Sequence, residues 1–116
     1  MHRTLKEMKT DINQNMRGGK GSVAMTHILE NKEFYGKGRI FAKVTLKPGC
    51  SVGLHKHEGD FEAYFVIKGE GMYNDNGNIY PIHVGDLALC DDGQSHGLEN
   101  TVTEDLEVVA LILYTK

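Results

Sequence analysis

Most features that direct a chain toward a specialised architecture are missing here. Only two cysteines occur in 116 residues, Cys50 and Cys90, and they form no CxxC pair. They read first as small core residues and free thiols of a protein in the reducing cytoplasm, with a Cys50–Cys90 disulfide as the lesser alternative. Only two prolines stand against fourteen glycines, so the chain must turn often and tightly. No apolar run approaches the length needed to span a membrane. The opening residues MHRTLKEMKTDINQNM carry charges every few positions and no apolar stretch, so no signal peptide is read there. No basic stripe exists and the net charge is −3, which argues against nucleic acid as a partner. Low-complexity tracts and internal repeats are absent. The length leaves no room for a second core.

What is present is the composition of a globular chain, 40% hydrophobic and 25% charged. Residues 4–16 have a helical spacing of Leu5, Met8, Ile12 and Met16, with Thr4 and Glu7 placed as a capping box; a short helix or an extended arm is expected there. The stretch MRGGKGSV (16–23) suggests a phosphate-binding loop, but Lys20 is followed by Gly21, and the next residues alternate like a strand. It is read as a flexible loop leading into the first strand. Residues 1–22 thus form an arm and glycine-rich loop, and 23–116 a single domain.

From residue 23 onward the pattern is all-β. RIFAKVTL (39–46) alternates, with Ile40, Ala42, Val44 and Leu46 on one face. Lys47-Pro48-Gly49 is a turn, and EAYFVIK (62–68) is rich in β-branched and aromatic residues. Asn76-Gly77 predicts a two-residue hairpin, DLALC (86–90) a short strand, and LEVVALILY (106–114) a strand buried on both faces. Many short strands at near-regular spacing indicate a sandwich or barrel.

Within GLHKHEGDFEAYFVIKG (53–69), His55 and His57 project from one face of a strand and can both reach a single ion. The four residues Glu58-Gly59-Asp60-Phe61 are short enough to return the chain beside that strand, so that Glu62 faces the same ion. A third neutral nitrogen would complete a common transition-metal set. His96 is the best candidate, following a glycine turn and flanked by Ser95 and Gly97. The same residues also read as polar groups on a wet strand, and the spacing leaves both readings open. Glu58 and Asp60 are taken as loop charges, either of which could replace Glu62. Tyr64 and Val66 share the parity of Glu62 and are expected to line the pocket. Tyr64 is also the nearest candidate for a catalytic group. Ala63, Phe65 and Ile67 have the opposite parity. They would present an apolar outer face that needs covering, by a second subunit or by the N-terminal arm. His83 is read as facing solvent, and His27 as a surface residue that could reach the pocket mouth.

At this point the sequence resembles a family. Gly49, His55-x-His57, Glu62 and Gly69 match the first motif of the cupins without a gap, and Gly85, Gly93, His96 and Asn100 match the second. Asp91 stands where that motif usually has proline; both residues favour turns, so little change is expected. The intermotif stretch 70–84 is short and is similar to that of small bacterial cupins. The resemblance implies a small jelly-roll β-barrel holding one divalent transition metal on His55, His57, Glu62 and His96. Mn or Fe is favoured, and Ni, Co or Zn would also accept these ligands. Three imidazoles and a carboxylate leave two adjacent positions of an octahedral ion for a small-molecule ligand. The resemblance also implies a homodimer. It points to an enzyme on a small polar metabolite (a carboxylate, diketone or sugar phosphate) of decarboxylase, dioxygenase or isomerase type. The alternatives are a metal and ligand binding or sensor module without turnover, and a metal-free storage or structural role. Each enzyme type needs a proton carrier, for which Glu62, Tyr64 or a polar residue in 39–45 are the candidates.

Overall fold

The computed structural model describes all residues, 1–116. Ten strands form two antiparallel sheets. In chain order they are β1 (Thr10–Gln14), β2 (Ser22–His27), β3 (Gly38–Leu46), β4 (Ser51–Lys56), β5 (Asp60–Lys68), β6 (Glu70–Asp75), β7 (Asn78–His83), β8 (Leu87–Cys90), β9 (Ser95–Glu99) and β10 (Leu106–Tyr114). One sheet runs β1-β2-β3-β10-β5-β8, the other β4-β9-β6-β7. The sheets face each other as a jelly roll, and the inward residues of alternating strands fill the space between them. Leu46, Val66, Leu106, Val108 and Ala110 of the larger sheet meet Val52, Tyr73, Ile82 and Leu98 of the smaller, all buried.

Local chemistry explains several junctions. Asn76 and Gly77 both hold positive φ, 54° and 96°, and Asp75 pairs directly with Asn78, as a two-residue hairpin requires. Gln94 and Asp91 close the turn before β9: the Asp91 amide donates to the Gln94 side-chain oxygen and the Gln94 amide to the Asp91 carbonyl. Aspartate therefore makes the turn that proline would stiffen.

One expectation is corrected and one open choice is decided. Of the short helix and the extended arm expected at 4–16, the extended arm forms. Only Leu5–Glu7 makes a single 3-10 turn, with the Glu7 carboxylate accepting from the Thr4 amide and hydroxyl; Thr10–Gln14 is instead the edge strand of the larger sheet. It pairs with β2 from Thr10 to Gln14, while Leu5 and Ile12 stay exposed, so a short helix there would have had no buried face to hold it. The stretch 106–114 is a strand, but with one buried face: Leu106, Val108, Ala110 and Ile112 are buried, while Val109, Leu111 and Leu113 are only half-buried. That apolar outer stripe continues onto the neighbouring strands. Val109 pairs with Phe65, Phe65 with Leu87, and Ala63 with Leu89. The N-terminal arm pairs with β2 and leaves this face open, with Phe65 47% and Leu87 66% exposed.

Candidate metal centre

A single irregularity in β4 sets up the site. The β4–β9 register shifts between Val52 and His55. This bulge re-aims the strand so that His55 lies opposite His96 of β9, while His57 follows just beyond the strand end. The turn at Glu58-Gly59 brings Glu62 of β5 across from the opposite sheet. All four predicted ligands meet: one donor atom from each of His55, His57, Glu62 and His96 lies within 4.8 Å of the others. His57 Nε2 is 3.1 Å from His96 Nε2 and 3.1 Å from Glu62 Oε1, and His96 Nε2 is 2.9 Å from the same oxygen. Neighbouring ligands of one ion, each about 2.1 Å away at a right angle, stand about 3.0 Å apart. The spacing therefore fits a single first-row divalent cation.

The ring tautomers fit as well. His55 Nδ1–H donates to the Gly53 carbonyl at 2.8 Å, and His57 Nδ1–H donates to Asp60 Oδ1 at 2.7 Å. His96 Nδ1 lies 3.1 Å from the Tyr73 hydroxyl, which accepts when Nε2 carries the lone pair. Each imidazole thus has a partner on Nδ1 and presents Nε2 to the centre, the arrangement that orients and strengthens a histidine ligand. His96 is held further by Tyr64, which stacks on it with centroids 5.0 Å apart and planes 18° from parallel.

The electrostatics suit a bound cation. Burial works against the ionised Glu62, but hydrogen bonds from His57 and His96 outweigh it and hold the carboxyl at about 2. The hydrogen bond to Glu62, against burial, raises His57, and Asp60 adds to the rise. Burial lowers His55 and pushes Tyr64 well above the usual phenol range. A divalent ion would satisfy the carboxylate and the three lone pairs together and, when bound, supply Lewis-acid polarisation of a coordinated oxygen.

The ligands open onto a cavity of about 80 Å³, far smaller than the hundreds of Å³ of drug-sized sites. Its polar wall is His55, His57, Glu62, Tyr64, Arg17 and Arg39; Met16, Met25, Ile40, Val44, Val52 and Ile112 make the apolar part. Tyr64 lies at the cavity as expected. Val66 does not: it is fully buried one step deeper along β5, in the core. Ala63, Phe65 and Ile67 point outward. His83 is exposed near Glu70 and Asp86, and His27 pairs with Asp11 at 2.8 Å in a separate polar hollow. Cys90 is buried and Cys50 half-buried, both unpaired.

Sequence reasoning missed four groups. Asp60 is not a loop charge: it is buried, with one oxygen on His57 and the other accepting from Arg39 Nε at 3.1 Å. Nothing in HKHEGDFE separates it from Glu58, which stays on the surface beside Lys56. Tyr73, Arg17 and Arg39 likewise carry no local signal, although Arg39 falls in the 39–45 stretch expected to supply a polar group.

Comparison with known proteins places this geometry. The family described as Cupin domain matches residues 42–112. The oxalate-binding protein of Thermotoga maritima is 52% identical over 99 residues, covering 85% of this chain and 82% of that protein. A Thermotoga maritima crystal structure described as a predicted oxalate decarboxylase superposes with a TM-score of 0.93 at 47% identity, over 98% of this chain and 99% of that one. A sugar phosphate isomerase of the cupin superfamily from Silicibacter pomeroyi has a TM-score of 0.75 at 19% identity, over 99% of this chain and 76% of that one, a likeness of fold alone.

Proposed function

The chain belongs to the cupin domain family, and on that premise we propose that it holds one divalent transition metal, Mn or Fe, on His55, His57, Glu62 and His96 and binds a small dicarboxylate of the oxalate class there. The observation that carries this reading is the convergence of four oriented donors on a small cavity whose remaining charged wall is cationic, Arg17 and Arg39. The similarity to an oxalate-binding protein over most of the chain supports the ligand class.

Binding without turnover is the reading the cavity favours. Decarboxylation of oxalate to formate and carbon dioxide consumes a proton, which a group at the cavity must deliver to carbon. Apart from the metal ligands, the titratable groups on the wall are two guanidiniums and Tyr64, whose buried phenol is held above its usual range. The enzyme reading rests on Tyr64 alone, beside Glu62 and in the cavity. Calorimetry of the Mn-loaded protein with oxalate, with formate measured in the same mixture, tests both. Saturable binding without formate is expected. Formate production at a steady rate establishes the enzyme, and no binding of oxalate or malonate at millimolar concentration defeats the dicarboxylate reading.

The protein is further proposed to pair through the outer face of β5, where Ala63, Phe65 and Ile67 adjoin Leu87 and Leu89. A contiguous apolar sheet face of this kind is what a two-fold interface covers. Sedimentation at micromolar concentration is expected to give a dimer, and Phe65→Glu a monomer. A wild-type monomer would refute the pairing.

A further inference from the structure

The glycine-rich loop between β1 and β2 has no part in the metal cluster, yet it is built against it. The Asn15 amide donates to the Gly21 carbonyl at 2.8 Å, closing the loop on itself. Lys20 and Ser51 exchange two hydrogen bonds of 2.9 Å, one from the Lys20 amide to the Ser51 hydroxyl and one from the Ser51 amide to the Lys20 carbonyl. The loop therefore leaves the larger sheet and lies on β4 of the smaller one. Two glycines permit the approach: a Cβ on Gly53 would overlap the Arg17 carbonyl, and one on Gly19 would overlap that of Ser51. Gly53 is also the residue whose carbonyl holds His55. The bulge in β4 thus orients a metal ligand and seats the loop.

This seating holds Arg17 in the left-handed region, φ 55°, a conformation that costs an ordinary residue about 1–2 kcal/mol. Such conformations persist where the surroundings impose them and gather at functional sites. Arg17 lines the metal cavity and is itself exposed to solvent. Of the three arginines, Arg3 is paired with Glu33 and Arg39 with Asp60, while Arg17 makes no ion pair and no side-chain hydrogen bond. The Arg17 guanidinium is therefore free of internal partners at the open side of the cavity, where it can meet a bound anion.

We infer that Arg17 is the specificity residue of the cavity, its guanidinium donating to the far carboxylate of a small dicarboxylate whose near carboxylate faces the metal ligands. This rests on the function proposed above and names how that site tells one small acid from another. A guanidinium fork matches a carboxylate with two parallel hydrogen bonds, which a point charge does not do. The charge balance agrees. A divalent ion brings two positive charges and each arginine one, while Glu62 and Asp60 remove one each, so two positive charges remain for a dianion. A monocarboxylate would leave one of them, and Arg17, unmatched.

The test is calorimetry on Mn-loaded wild type, Arg17→Gln and Arg17→Lys with oxalate, malonate and formate, with metal content measured for each. Arg17→Gln is expected to lose at least about tenfold in oxalate affinity, the usual loss for a charged hydrogen-bonding group, with formate changed by less than about twofold. Arg17→Lys should fall between, and metal content should be equal in all three proteins. Oxalate binding by Arg17→Gln within about twofold of wild type overturns the inference but leaves the proposed function standing, as does an equal loss for formate and oxalate. Wild type that retains metal and binds neither dicarboxylate overturns the proposed function and this inference with it.

Discussion

Replacing Asp60 by asparagine tests how the metal centre is held together. The wild-type carboxylate accepts two hydrogen bonds at once, from His57 Nδ1 at 2.7 Å and from Arg39 Nε at 3.1 Å. An amide of the same shape has one acceptor and one donor end, so it cannot serve both. If its oxygen faces Arg39, its NH2 faces His57 and forces the proton onto Nε2, where a metal must bind. If its oxygen faces His57, its NH2 meets the Arg39 N–H, donor against donor. Either outcome weakens a ligand without removing it. Changes to such supporting partners cost about 10–100-fold in metal affinity, or about 1.4–2.7 kcal/mol. Chelator competition with Zn or Mn on wild type and Asp60→Asn measures the loss. Glu58→Gln, two residues away and paired only with surface Lys56, is the control and should bind like wild type. Asp60→Asn holding metal within about twofold of wild type would refute the claim that Asp60 fixes the His57 tautomer.

Tyr73→Phe removes the partner of a fully buried His96 Nδ1 and should lower stability by about 1–3 kcal/mol, read by urea denaturation of the metal-free protein. Gly53→Ala should push the loop off β4, destabilising the fold by about 1–3 kcal/mol and weakening oxalate binding together, seen by melting temperature and calorimetry. Glu33 is held down at about 2 by its hydrogen bonds from Arg3 and from the Glu30 amide, so its support for the N-terminal arm is present above its ordinary value of 4.5 and is lost as pH falls toward 2. Hydrogen exchange of β1 amides should rise over that interval in wild type and not in Arg3→Gln. Metal should be released as pH drops through the histidine range, because all three imidazoles must be neutral to bind; dialysis followed by metal analysis checks this.

Part of the centre was legible in the chain: the short spacing of His55, His57 and Glu62 allows them to meet, and the match to the cupin motifs added His96. His55 and His57 share a face by the period of a strand, and Glu62 returns after one tight turn. The groups that orient them were not legible. Tyr73 reaches His96 across the β6–β9 pairing, and Arg39 reaches Asp60 from a strand that is not its neighbour in the sheet. Asp60 and Glu58 are alike in local context; only the fold buries one and exposes the other. The arm at 4–16 follows the same rule: its spacing allowed a helix, but Leu5 and Ile12 find no core to pack against, and the segment joins the sheet edge instead.

The all-β class, the positions of most strands and the Asn76-Gly77 hairpin were readable from the sequence, and so was the possibility that His55, His57 and Glu62 meet; the four-residue set with His96 came from the match to the cupin motifs. All but the last follow from side-chain alternation, turn chemistry and donor type, all local properties of the chain. Tertiary structure alone decided which polar residues became buried supports, how small the cavity is, and that a glycine-rich loop carries Arg17 to its wall. Those depend on contacts between segments far apart in the chain, and a bulge of one strand against another places them.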